Sequence, residues 1–190
     1  MTAIFNENRH AQLLSILAQG GFVGAYVELC QKYPTYGDID GPKLDFGKTV
    51  EMFRALDPAA KALKRWRMIE FGREEIGGWI WTGSLVVKKY DSLDPMMKGV
   101  SQDGSESVGS VWIDLTSDAR ILLPEAARPS HDDYGRPRFD GSLHTMQRIV
   151  VDLISLFEHM KALIRHSWSN EASIAPSPEQ ANQSSIPVHV

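Results

Sequence analysis

Between Leu143 and Leu163, apolar residues recur at steps of three and four: Leu143, Met146, Ile149, Val150, Leu153, Leu156, Phe157, Met160 and Leu163. A stripe of that length predicts a long amphipathic helix, which must bury its apolar side against another element. The opposite side carries His144, Arg148, Asp152, Ser155 and His159. Whatever precedes this helix therefore has to supply a matching apolar surface.

The first third supplies more helix. Leu13, Leu14, Ile16 and Leu17 share a face that Gly20-Gly21 terminates, and a second helix is expected over Phe22–Tyr33, stopped by Pro34. A loop rich in Gly, Asp and Pro follows over 35–47, then a short helix over Lys48–Leu56 burying Val50, Met52 and Phe53. Asp57-Pro58 reads as a helix start, opening a helix through about Glu70.

The middle changes period. Trp79, Trp81, Leu85 and Val87 alternate with Ile80, Thr82, Ser84 and Val86, a strand bent or bulged at Gly83. A second alternation at Val111–Leu115, a turn at Thr116-Ser117-Asp118 and an apolar run at Arg120–Leu123 read as a hairpin. Residues 91–107 between them read as a long polar loop.

The expected class is α+β: N-terminal helices, a small mainly antiparallel sheet, and a long C-terminal helix packed on it. One globular domain is expected over 1–168. Residues 169–190, rich in Ser, Pro, Asn and Gln, are expected to be a disordered tail.

A net charge of -4 argues against coating DNA by bulk charge, although a local basic face remains open. The single cysteine, Cys30, cannot close an internal disulfide and is expected to be a buried, inert thiol. Met1–His10 lacks a basic region followed by an apolar core, and the uncharged run Ala11–Val27 is broken by glutamines and glycines. A cytoplasmic protein without a transmembrane segment is expected.

Chemistry-bearing residues concentrate in Arg128–Arg148. Ser142 is placed to cap the last helix, and Asp140 lies where the helix dipole favours negative charge. His144 and Arg148 project together just inside that terminus. Free N–H groups beside Gly141 and Ser142 would suit a phosphate gripped by Arg138 or Arg148. Asp132, Asp133 and Asp140 could instead hold a divalent metal, with His131 or His144 carrying a proton. The structural alternative is a solvated loop whose charges pair with one another.

Two further segments compete. Gly41–Thr49 approaches a phosphate loop, but one residue too many separates Gly41 from Gly47, and Pro42 and Asp45 oppose phosphate binding. Lys61, Lys64, Arg65, Arg67 and Arg73, with Trp66 among them, suit nucleic-acid backbone. The alternative there is a solvated helical face with Trp66 packed beside Leu63 and Ile69.

The run Phe139-Asp140-Gly141-Ser142-Leu143-His144 resembles the strand–DGxHR–helix corner of the ParB/sulfiredoxin fold. With the chain's size and layout, it is similar to the Osa-type fertility-inhibition proteins of conjugative plasmids. Asp140, Gly141 and His144 match by position; His144 stands where the motif has arginine, and Arg148 lies one turn later.

The resemblance implies an ATP-hydrolysing DNase, using ATP and Mg2+, that blocks transfer of DNA through a type IV secretion system. Its location would be cytoplasmic, at the inner membrane only through partners. Asp140 and His144, carried over by position, would be catalytic, with Asp133 as a neighbouring acid. Read from the residues themselves, Arg138, Ser142 and Arg148 would join Gly141 in binding phosphate, Lys61, Lys64 and Arg65 would bind DNA, and Asp132 and Asp133 metal. The competing expectation is a non-catalytic inhibitor, such as an immunity or anti-restriction protein, that covers a partner's site.

Overall fold

Packing explains where these periods lead. A computed structural model describes residues 3–33, 45–88, 93–140 and 142–172. Along the chain run β1 (Ile4–Phe5), α1 (Glu7–Gln19), α2 (Phe22–Lys32), α3 (Phe46–Leu56), β2 (Lys61–Leu63), β3 (Met68–Ile76) and β4 (Trp79–Val87). Then come β5 (Leu93–Ser101), β6 (Glu106–Val111), α4 (Trp112–Arg120) and α5 (Leu143–Ala172). The strands form one sheet in the order β1-β6-β5-β4-β3-β2, antiparallel except for the β1–β6 pair.

Period-two alternation gives the sheet two unlike faces. Trp79, Trp81, Leu85 and Val87 are buried on one side, under the helices. There Trp81 meets Trp168 of α5 at 5.3 Å between rings, Phe71 meets Phe157 at 5.5 Å, and Trp112 of α4 meets Phe22 at 6.1 Å. Gly83 is required on this face, because a Cβ would lie 2.7 Å from the Phe71 ring. Among the described residues, no helix packs on the opposite face.

Helix α5 is fixed to the sheet by a cation as well as by apolar packing. Lys161, 3% exposed, donates to Gly72 O at 3.1 Å and Glu74 Oε2 at 2.8 Å, and pairs with Glu158 at 2.8 Å. Gly72 sits at φ +59, where β3 bulges between Phe71 and Glu74. The Lys161 and Arg165 bonds hold the Glu74 carboxyl below its ordinary range. The Gly72 N–H is fixed in turn by Asp57 Oδ2 at 2.7 Å.

Several sequence expectations are corrected. Asp57-Pro58 does not open a helix. Asp57 makes a turn, accepting from Ala59 N at 3.0 Å, and Lys61–Glu70 becomes β2, a short 3-10 turn at Lys64–Trp66 and the start of β3. Trp66 is 64% exposed at the hairpin tip rather than packed beside Leu63 and Ile69. The bulge expected at Gly83 lies on the neighbouring strand, while β4 pairs with β5 in unbroken register through that glycine.

Most of the expected 91–107 loop is sheet. β5 and β6 are joined by a turn in which Asp103 accepts from Ser101 Oγ, Ser105 N and Ser105 Oγ, and those bonds lower its pKa to about 2. The expected hairpin from Val111 to Leu123 is instead helix α4, with Trp112, Leu115, Thr116 and Ala119 buried at helical steps. Helix α5 runs past Trp168 to Ala172, and the tail expected beyond it lies outside the described residues from 173 onward.

No described helix is long and apolar enough to cross a membrane. α1 and α2 reach that length only together; they are bent 69° apart at the Gly20-Gly21 break and bury Leu13, Leu17, Phe22 and Tyr26 within the protein.

Candidate functional site

The start of α5 is closed by its own cap. Asp140 Oδ1 accepts from Ser142 N at 2.9 Å and Oδ2 from Thr145 Oγ1 at 2.8 Å, while Ser142 Oγ accepts from Thr145 N at 3.0 Å. The Ser142 N–H, followed by the Thr145 hydroxyl, holds the Asp140 carboxyl below the usual carboxylate range. An anionic carboxylate thus occupies the place where a phosphate would meet free N–H groups. Gly141 lies outside the described residues.

His144 and Arg148 behave differently. Both are exposed and have no hydrogen-bond or ion-pair partner among the described residues. With Lys32 and Asp152 they border a cleft of about 340 Å³. The acid there is engaged: Asp152 Oδ2 accepts from Tyr33 OH at 2.7 Å and from Lys32 Nζ at 2.6 Å.

The preceding segment, 128–140, is a strap that ties four elements together. Arg128 donates at 2.8 Å to both Leu123 O and Ile121 O beyond α4. Asp133 accepts from Ser130 N at 2.6 Å in a capping box, and His131 sits between Arg120 and the Tyr134 hydroxyl. Tyr26 of α2 donates to Gly135 O at 2.7 Å, with the Cys30 thiol at 3.5 Å from the same oxygen. Burial raises the pKa of both groups, which keeps them protonated.

Further along, Arg136 pairs with Asp94 of β5, a carboxylate 6% exposed that also meets Lys88 at 2.7 Å. Leu93 N donates to Pro137 O at 3.2 Å, and Arg138 N to Tyr33 O at 3.3 Å. Asp132 and Asp133 do not converge with a third ligand, and the described residues contain no group of three or more His, Cys, Asp or Glu able to hold a metal. The phosphate-loop candidate fares similarly in its described part. Gly47 and Lys48 give their N–H groups to Asp45 Oδ1, and Thr49 is buried.

The sheet face that no described helix covers forms another concave surface. Ile80, Thr82 and Ser84 of β4 face outward between β3 and β5, and the depression has a volume of about 570 Å³. Asp57, Lys61, Glu70, Arg73, Lys98 and Val100 are among its other lining residues. Cross-strand register sets the rows: Lys61 beside Glu70 beside Ser84, Thr82 beside Lys98, and Ile80 beside Val100. Lys61, Arg73 and Lys98 have no hydrogen-bond or ion-pair partner among the described residues.

Of the residues expected to touch DNA, Lys61 lines this depression, whereas Lys64 and Arg65 lie at the hairpin tip, Arg65 stacked 5.2 Å over Trp66. Arg73, named with the same basic run, also lines the depression, whereas Ile80, Thr82, Lys98 and Val100 were not expected as site residues. For β4 the signal was present, since its alternation places Ile80 and Thr82 opposite the tryptophans. For β5 the register that brings Lys98 and Val100 alongside is a property of the folded sheet. No protein-family model, curated protein or solved structure matches the chain.

Proposed function

We propose that this protein is a non-catalytic binding protein, a stoichiometric inhibitor of the immunity or anti-restriction kind, whose partner seats on the open face of the sheet. One observation carries the reading. The segment densest in catalytic residue types is occupied as a structural strap, while a concave face of mixed apolar and charged residues has no helix over it among the described residues. Turnover requires a nucleophile, base or metal held in convergent geometry. Binding requires a shaped surface with an apolar floor and a polar rim, and Ile80 and Val100, in register beside the Thr82–Lys98 pair, have that character.

Site-specific photocrosslinking in cells that make the protein tests this reading. A photoreactive residue at Thr82 is expected to trap one discrete partner that the same residue at Gln147, beside the α5 corner, does not trap. Trapping at Gln147 alone would move the contact to that corner.

The competing reading is a ParB/sulfiredoxin-like fertility-inhibition nuclease acting with ATP and Mg2+. In its favour stand the exposed His144 and Arg148 beside Lys32, neither with a hydrogen-bond or ion-pair partner among the described residues. Purified protein degrading DNA in Mg2+, with His144→Ala and Arg148→Ala each abolishing the activity in a folded chain, would establish it against the binding reading.

A further inference from the structure

Of the five tryptophans in the chain, Trp79, Trp81, Trp112 and Trp168 are buried, whereas Trp66 is 64% exposed. It stands at the tip of the β2–β3 hairpin, where every residue from Leu63 to Arg67 is exposed. Leu63 and Trp66 are three positions apart across the 3-10 turn, a spacing that sets two side chains on the same side of such a turn. Arg65 lies 5.2 Å over the Trp66 ring, and Lys64 has no hydrogen-bond or ion-pair partner among the described residues.

The turn that displays these groups is firmly held. Arg67 closes it at φ +47, a left-handed conformation that is costly for a residue with a side chain and that no other described non-glycine residue adopts. Its carbonyl accepts from Val87 N at 2.9 Å, its Nε donates to Val87 O at 3.1 Å, and its guanidinium lies over Phe46. The hairpin therefore presents Leu63, Lys64, Arg65 and Trp66 on a preformed support.

Charge at the tip is positive, in a chain whose net charge is -4. No acid occurs between Asp57 and Glu70, a stretch that contains Lys61, Lys64, Arg65 and Arg67. The acids on neighbouring segments have cations of their own. Glu70 stands in register with Lys61, Asp94 pairs with Lys88 and Arg136, and Asp45 caps α3 beside the Phe46 ring that Arg67 covers. Lys64 and Arg65 remain as the uncompensated charge among the described residues.

We propose that this tip docks the protein peripherally on an anionic phospholipid surface. Trp66 and Leu63 enter the headgroup layer, where the amphipathic indole is favoured, and Lys64 and Arg65 meet the lipid phosphates. The contact is independent of the open-face reading, since none of these four residues lines that depression.

A lipid surface fits the tip better than a nucleic-acid strand does. Sheets that bind strands line up several outward aromatics for successive bases in a groove. Here one tryptophan stands on a protruding turn with Arg65 already over its ring, and the β4 residues facing outward are Ile80, Thr82, Ser84 and Val86.

Cosedimentation of the full chain with vesicles tests the inference, using equal parts phosphatidylglycerol and phosphatidylcholine against phosphatidylcholine alone. The chain is expected to partition onto the anionic vesicles at low ionic strength, to leave them as salt rises, and not to bind the neutral ones. Lys64→Glu with Arg65→Glu is expected to weaken partitioning by about tenfold or more, and Trp66→Ala by about fivefold. Lys98→Glu, on the open face, should leave it unchanged. Tryptophan emission should move to shorter wavelength on the anionic vesicles, and Trp66→Phe should abolish that shift. Unchanged far-ultraviolet circular dichroism confirms that each variant is folded.

Failure to bind the anionic vesicles, or binding that survives both the charge reversal and Trp66→Ala, overturns the inference. An equal loss in Lys98→Glu also overturns it, because the attraction would then come from diffuse surface charge. An emission shift that persists in Trp66→Phe overturns the insertion of this tip. Binding of a single-stranded oligonucleotide that the tip substitutions abolish, without vesicle binding, overturns it in favour of nucleic acid. The Thr82 crosslink judges the open face separately in every case.

Discussion

The strap at 128–140 and the open face around β4 make opposite use of polar residues. The strap is rich in His, Asp and Arg, and its side chains close turns, cap helices and pair with the buried Asp94. The open face is plain in composition, yet three of its cations stay without a partner among the described residues. Local density of reactive residue types therefore says little about a site. What counts is whether the fold consumes their hydrogen-bonding capacity, since a buried polar group left unmatched costs stability.

The contrast can be broken by removing one group at a time. The largest loss is expected at Lys161→Ala, about 3 kcal/mol by urea denaturation, because Glu74, Glu158 and Gly72 O all lose their shared cation and the side chain is buried. Gly83→Ala comes next, at about 2 kcal/mol, since the new methyl meets the Phe71 and Phe157 rings. Asp140→Ala should cost about 1 kcal/mol, the usual value of a helix cap, measured by thermal unfolding. His144→Ala and Arg148→Ala, on exposed groups without described partners, should each stay within about 0.5 kcal/mol.

A pH series sharpens the same contrast. Glu74 has its pKa depressed by Lys161 and Arg165, so its contribution is fully present above the ordinary glutamate pKa. That contribution is lost as pH falls through the lower, folded-state value. The melting temperature should decline on acidification below the ordinary glutamate range, and Glu74→Gln should flatten that part of the profile. An unchanged profile would mean that the lysine on α5 does not depend on this carboxylate.

Much of the helical architecture was legible because long apolar stripes have one structural solution. The stripe from Leu143 gave α5, the Gly20-Gly21 break separated α1 from α2, and alternation around Trp79 and Trp81 gave β4. The class, α+β with a mainly antiparallel sheet, followed from those elements. The remaining strands were obscured where charge spacing imitated a helix, as at Lys61, Lys64 and Arg65, although Ile69 and Phe71 flanking Glu70 carry a period of two.

Asp103-Gly104 is a hairpin signal inside what read as a loop, and short apolar runs such as Val111–Leu115 fit either period. Around the α5 corner, the capping roles of Asp140 and Ser142 were readable from residue type alone. That Arg136 closes on Asp94, forty-two positions away in sequence, depends on the strap crossing β5. The open face was half visible: one strand announced it, and the cations that give it character arrive from strands whose register only the sheet sets.

The most direct test compares two exposed cations on either side of this divide, Arg136 in the strap and Lys98 on the open face, by urea denaturation of the two alanine variants. Arg136→Ala leaves the buried Asp94 carboxylate with Lys88 alone and should cost about 1.5–2 kcal/mol. Lys98→Ala should stay within about 0.5 kcal/mol. Equal losses, or a greater loss at Lys98, would mean that the cations of the open face hold the fold together no less than those of the strap, contradicting its assignment as the free binding surface.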